Sequence, residues 1–128
     1  MPEVNKEIRL VPLSLDHLDG IMSWVNDPEV TFYFARLGRE ISRAEEEAIV
    51  RRLIDSETDI IYSIFEEDEY VGQIGLSQIY WPAKNARMGA MLCRKAWGRG
   101  IVKRAAQALL ARAFQQHGLH KVWLIVRA

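Results

Sequence analysis

The run Arg94-Lys95-Ala96-Trp97-Gly98-Arg99-Gly100-Ile101-Val102-Lys103-Arg104 constrains this chain more than any other stretch. Residues 88–93 before it are apolar and read as a strand. Residues 101–116 after it carry Ile101, Ala105, Ala108, Leu109 and Ala113 at helical spacing, and Gly118 marks the stop. A strand, a glycine-bearing turn and a helix start, in that order, present free backbone N–H groups at a helix N-terminus. Such groups bind anions, because they lack intrahelical partners and the helix dipole is positive there. Gly98 and Gly100 permit positive φ and let a ligand approach the backbone. Arg99, Lys103 and Arg104 stand where a merely capped helix would prefer acids, which points to a bound polyanion.

The turn is not a phosphate-binding loop of the Walker type, since no Gly-Lys-Ser/Thr follows it. Nor is it a dinucleotide fingerprint, because Lys103 occupies the place of the third glycine. These residues resemble the GNAT N-acyltransferases, in particular the branch that acetylates ribosomal-protein N-termini and polyamines. In that family a [Q/R]-x-x-G-x-[G/A] turn holds the pyrophosphate of acetyl-CoA. Trp97-Gly98-Arg99-Gly100-Ile101-Val102 occupies it here, with Val102 in place of Gly or Ala. The resemblance therefore implies acetyl-CoA as cosubstrate, bound by Met91, Leu92 and Cys93 of the strand and by Trp97, Gly98, Arg99, Gly100, Ile101, Val102 and Lys103 of the turn and helix start.

At 128 residues, 49% of them apolar, the chain is expected to form a single domain over residues 1–128 with one core. One cysteine, Cys93, excludes an internal disulfide framework and fits a reducing compartment. The polar start of the sequence and the lack of a run of about 20 apolar residues predict a cytoplasmic protein without a membrane partner. All 17 Asp and Glu stand at or before Glu69, alongside seven basic residues; from Tyr70 onward there are ten Lys and Arg and no acid. This asymmetry suggests an anionic ligand on the C-terminal half and a cationic, amine-bearing one near the N-terminal half. Nucleic acid is not expected, because the basic half lacks interleaved aromatics and any recognised motif.

In chain order, residues 7–13 alternate and end near Pro12, as an edge strand does. Ser14 is placed to cap a helix over residues 15–25, with Leu15, Leu18, Met22 and Val25 as its apolar stripe and Asn26-Asp27-Pro28 as its stop. The aromatic stretch 30–34 fits either core packing or a pocket wall. Ser42 and Glu45 form a capping box for a helix to about Ile54, with Glu47 and Arg51 as an i,i+4 pair. The triple Glu45-Glu46-Glu47 reads as a solvated face. Residues 59–66 and 70–80 form a hairpin around 67–69, in which Gly72 and Gly75 predict a bulge or a close neighbour. A turn at 81–85, a strand at 86–93, the helix of the opening run and a final apolar strand at 121–126 complete the order β-α-α-β-β-β-α-β.

That order is the first part of the GNAT layout, and the resemblance spans residues 7–128. It implies an α/β fold: a mixed, mostly antiparallel sheet flanked by helices, lacking the usual C-terminal helix and strands. In the family that later segment carries an Asn and a Tyr, the Tyr protonating the leaving thiolate, so no residue here takes that role. Where relatives often have Ala-Glu-Ile-Gly, with Glu able to activate the amine, this chain has Ala86-Arg87-Met88-Gly89. An arginine cannot serve as base. Any protein carboxylate base must then come from the N-terminal half, Glu29 or Glu40 being candidates. Ser77, Tyr80 and Cys93 are read as ordinary strand and packing residues. His17 and His117 are placed in helices and His120 at a strand start, with no metal-ligand spacing. The expected activity is acetyl transfer to a primary amine of a small molecule or protein N-terminus. The alternative is an acetyl-CoA-binding module or inactive half-domain. The apolar last strand, residues 121–127, is further expected to pair with a second copy in a homodimer.

Overall fold

The computed structural model describes residues 7–27, 40–98 and 100–124. Strand β1 (Ile8–Pro12) is followed by a 3-10 turn (Leu15–His17) and helix α1 (Leu18–Val25). Helix α2 (Arg43–Asp55), strands β2 (Ile60–Glu66), β3 (Glu69–Tyr80) and β4 (Asn85–Leu92), helix α3 (Ile101–Gln115) and strand β5 (Lys121–Leu124) complete the order. The strands form one sheet in sequence order, antiparallel from β1 through β4, with β5 parallel to β4. This is the mixed, mostly antiparallel sheet expected from the sequence. The aromatic stretch 30–34, Glu29, Arg99 and the last strand beyond Leu124 lie outside the described residues.

Local chemistry explains most of the boundaries. Ser14 Oγ accepts the Asp16 N–H at 3.1 Å and opens the first turn. The Ser42 and Glu45 capping box is closed at both ends, each bond 3.1 Å long. Asn26 donates to the Ile41 carbonyl at 2.8 Å and accepts the Ile41 N–H at 2.7 Å. One side chain thereby joins the end of α1 to the approach to α2. At the end of α3, Gly118 takes φ 67°, and the Leu119 N–H bonds to the Ala113 carbonyl, a left-handed helix stop.

Alternation along the strands divides the apolar residues between two faces. On one face Ile74, Leu76, Ala86, Met88 and Leu92 pack under Ile101, Ala105, Leu109 and Ala113 of α3. These helical residues recur every four positions, and two of them, Ala105 and Ala113, carry little bulk, so the helix lies close to the sheet. Ala108, expected in the stripe, is exposed. On the other face α1 and α2 cover the sheet with Leu18, Ile21, Trp24, Val25 and Val50, against Cys93, Ile61, Tyr70 and Met91. Glu46 belongs to this buried side at 3% exposure, four residues before Val50, which corrects the reading of the glutamate triple as wholly solvated.

His17 closes the 3-10 turn, and its Nδ1 lies 2.7 Å from Oγ of the fully buried Ser63. The ring sits edge-on to Phe65. Burial lowers its pKa below 6.5, while nearby Asp16 acts in the opposite direction. Below 6.5 the unfolded chain therefore binds more protons at this residue than the folded one. Stability contributed here is present above that value and falls as pH drops through it, until the folded ring also protonates. Urea midpoints at about pH 7.5 and about pH 5.5 should show a larger acid loss for the parent than for His17→Gln. An equal loss in both would remove His17 from the account. His117, expected in a helix, lies just past the end of α3, with its Nε2 3.2 Å from the Tyr62 hydroxyl.

Candidate active site

The site is built on one strand and the turn that follows it. On the α1–α2 face of β4 the residues are Arg87, Gly89 and Met91, set opposite Ser77, Gly75 and Gln73 of β3. Two glycines facing one another across a strand pair leave a depression. It is a cleft of about 140 Å³ lined by Ile61, Gln73, Gly75, Ser77, Gly89, Ala90 and Met91. Ile61 covers Gly75, where an added Cβ would come within 2.4 Å of its Cδ1. Gly89 faces open space, with nothing within 4 Å of an added Cβ. Gln73 and Ser77 are the polar side chains of the described lining, and none of the described lining residues is acidic or basic.

The cleft was only partly legible in sequence. Met91, expected on cofactor grounds, lies in its wall. Ser77, read as an ordinary strand residue, lines it, whereas Tyr80 is exposed at the far end of β3. Gln73, Gly75 and Gly89 went unassigned. Glycines inside strands were the available signal, but only the register shows that Gly75 and Gly89 are neighbours.

Beyond Met91 the chain turns. The Cys93 N–H donates to the Val71 carbonyl at 2.8 Å, and the Ala96 N–H to the Cys93 carbonyl at 2.9 Å. Trp97 presents an exposed ring, yet its Nε1–H holds the Leu92 carbonyl at 3.1 Å and so ties the turn to the strand. Lys95 Nζ reaches Glu69 Oε1 at 2.7 Å, so the basic and acidic halves of the sequence meet here. Gly98 and Gly100 have φ of 79° and 69°, and neither would meet an atom within 4 Å if given a Cβ. Gly100 caps α3, whose first turn holds no acid. Leu92, Cys93 and Ile101 direct their side chains into the core, leaving only their backbone for a ligand. Val102 and Lys103 are exposed at the helix start. Two glycines with open space where a Cβ would stand, at a helix N-terminus with a cation beside them, suit a pyrophosphate.

Beneath the cleft face is a buried polar group of different character. Trp24 Nε1 donates to the Tyr70 hydroxyl at 3.1 Å, and Cys93 Sγ lies 3.6 Å from Ser23 Oγ. Burial pushes the Tyr70 pKa up, against the pull of the Trp24 bond, and the negative forms of Cys93 and Glu46 push the same way as burial. Tyr70 is therefore held as a neutral phenol that anchors α1, and Cys93 packs as expected.

A family profile described as Acetyltransferase (GNAT) domain matches residues 7–128. The chain belongs to the GNAT acetyltransferases. No curated protein sequence matches it. Among solved structures, this GNAT domain is similar to a spermidine N-acetyltransferase from Vibrio cholerae in complex with CoA and spermine. The TM-score is 0.83 and the identity 19%, over 91% of this chain and 69% of that one. It is also similar to a chimera of the Vibrio cholerae enzyme SpeG with hSSAT, at TM-score 0.77 and 19% identity, over 91% and 68% of the two chains. SpeG from Vibrio cholerae in complex with manganese ions gives 0.75 and 18%, over 92% and 67%. At such identity the likeness is one of fold. Within the GNAT domain, no group of three or more His, Cys, Asp or Glu among the described residues is placed to hold a metal ion. No helix among the described residues is long and apolar enough to cross a membrane.

Proposed function

We propose that this chain transfers an acetyl group from acetyl-CoA to a primary amine. The observation that carries the reading is continuity along one strand. β4 floors an open cleft at Gly89 and, six residues past Leu92, leads at Gly98 into a turn suited to pyrophosphate. A donor held by the turn and an acceptor held by the cleft would thus be positioned by the same backbone. Family membership and the CoA and spermine present in the similar Vibrio cholerae structure support the same assignment.

In this reading the N–H groups at 98–103, with Lys103 beside them, hold the pyrophosphate. Acetyl-CoA supplies the activated thioester. The nitrogen–carbon bond forms as the carbon–sulfur bond breaks, and the amine's proton ends on the thiol. Since no lining residue among those described is an acid or base, the contribution of the described lining is positioning, which can supply about 7–11 kcal/mol of a barrier when alignment is good. The same lack, with Arg87 where relatives often carry a glutamate, favours a second reading: a module that binds acetyl-CoA without turnover. Thiol release over a panel of amines separates the two.

The pyrophosphate assignment is tested at Gly100. Asn and Asp both tolerate the left-handed conformation that Gly100 adopts, so both variants should fold. Gly100→Asp places a negative charge at the anion site and is expected to weaken CoA binding about tenfold or more by calorimetry. Gly100→Asn, the same shape without the charge, should lose much less. Equal affinity of the two variants would overturn the assignment.

A further inference from the structure

Arg87 stands out among the described basic residues. It is half-buried, and no hydrogen bond or ion pair engages its guanidinium. Arg9, Arg43 and Arg51 meet Asp68, Asp19 and Glu47, and Arg112 lies over the Tyr62 ring. Arg52, Lys84, Lys103 and Lys121, which have no such contact either, are exposed. A half-buried arginine whose guanidinium meets no counter-charge is placed to receive one from a ligand.

Its position says which ligand. Arg87 lies on the cleft face of β4, opposite Ser77 of the lining and two residues from the open floor at Gly89. Two residues of strand span about 7 Å, the scale of a small amine with an acid group a few bonds from its nitrogen. The guanidinium fork matches a carboxylate or a phosphate in two-point contact. A polyamine, by contrast, meets a cation at the rim and, among the described lining residues, no carboxylate to receive its second ammonium. We propose that the acceptor is a primary amine that also carries a carboxylate or phosphate, and that Arg87 binds this anionic group. The inference rests on the reading of the cleft as the acceptor site of an acetyl transfer.

The test compares four amines as acceptors for the full chain with acetyl-CoA: β-alanine, phosphoethanolamine, propylamine and spermidine. Thiol release should favour one of the two anionic amines over propylamine by about tenfold or more in kcat/KM, and over spermidine by more. The better of the two decides between carboxylate and phosphate. In Arg87→Gln the ratio of anionic to neutral amine should fall towards one, mainly through KM, and Arg87→Lys should restore part of it. Preference for spermidine, or a ratio indifferent to Arg87→Gln, would overturn the inference while leaving amine acetylation standing. A second readout needs no turnover: modification of Arg87 by phenylglyoxal, mapped by mass spectrometry on protein saturated with acetyl-CoA. Protection by the anionic amines and not by propylamine supports the inference even if thiol release is silent; absence of protection overturns it. Failure of acetyl-CoA to bind at all would instead bring down the underlying reading.

Discussion

Gly72→Ala is expected to cost about 2–4 kcal/mol of folding stability, the largest loss from a methyl group added at any of the described glycines. Gly72 sits on β3 opposite Leu92, beside the register shift between Ile64 and Phe65. A Cβ there would lie 2.2 Å from the Met91 carbonyl oxygen and 2.9 Å from the Leu92 Cα. Both obstructing atoms are backbone, so no rotamer change relieves the overlap; the strands must part. The position has a functional consequence too. Met91 and Leu92 are the last residues of β4 before the Cys93 bond to Val71 sets the path of the turn. Displacing them should weaken CoA binding along with stability. A urea unfolding series, with the slope unchanged and the midpoint lowered, is the measurement. Gly89→Ala is the control, because its added Cβ meets nothing within 4 Å, and its stability should stay within about 0.5 kcal/mol of the parent. Comparable losses in both variants would mean that β3 and β4 are not packed as described.

The turn was readable from sequence because its chemistry is local. Gly98 and Gly100 are both left-handed, and the four-residue recurrence of Ile101, Ala105, Leu109 and Ala113 needs no tertiary information. The helix caps at Ser14 and Ser42 were readable for the same reason. Glu46 was misread because a run of three acids suggests solvent, whereas its spacing from Val50 places it on the buried stripe. Ala108 erred the other way, since an apolar residue beside the stripe need not be covered. The cleft was readable only at Met91. It exists because the register sets Gly75 against Gly89, with Ile61 from a third strand beside them, and register is a long-range property. Arg87 was visible as a departure from the family's glutamate, but its half-burial and lack of a partner belong to the folded molecule alone.

Gly89→Leu should separate folding from activity more sharply than any other single change. Gly89 is exposed, takes no left-handed backbone conformation, and has free space where a side chain would grow. Glycine weakens a strand interior, so a leucine here should leave the fold at least as stable as the parent. The same side chain would put four carbons onto the floor of a cleft of about 140 Å³, between Gln73 and Ser77. An amine forced off that floor loses its alignment, and a displacement of even ~1 Å is enough to cost about 100-fold in rate. CoA affinity should change little, since the turn at Gly98 and Gly100 begins beyond Trp97, whose bond to the Leu92 carbonyl is untouched. The expected result is therefore a stable protein that binds CoA in calorimetry and has lost about 100-fold in kcat/KM for its amine. Parental turnover in Gly89→Leu would show that the acceptor does not use this cleft. Loss of CoA binding together with turnover would place the donor, rather than the acceptor, over Gly89.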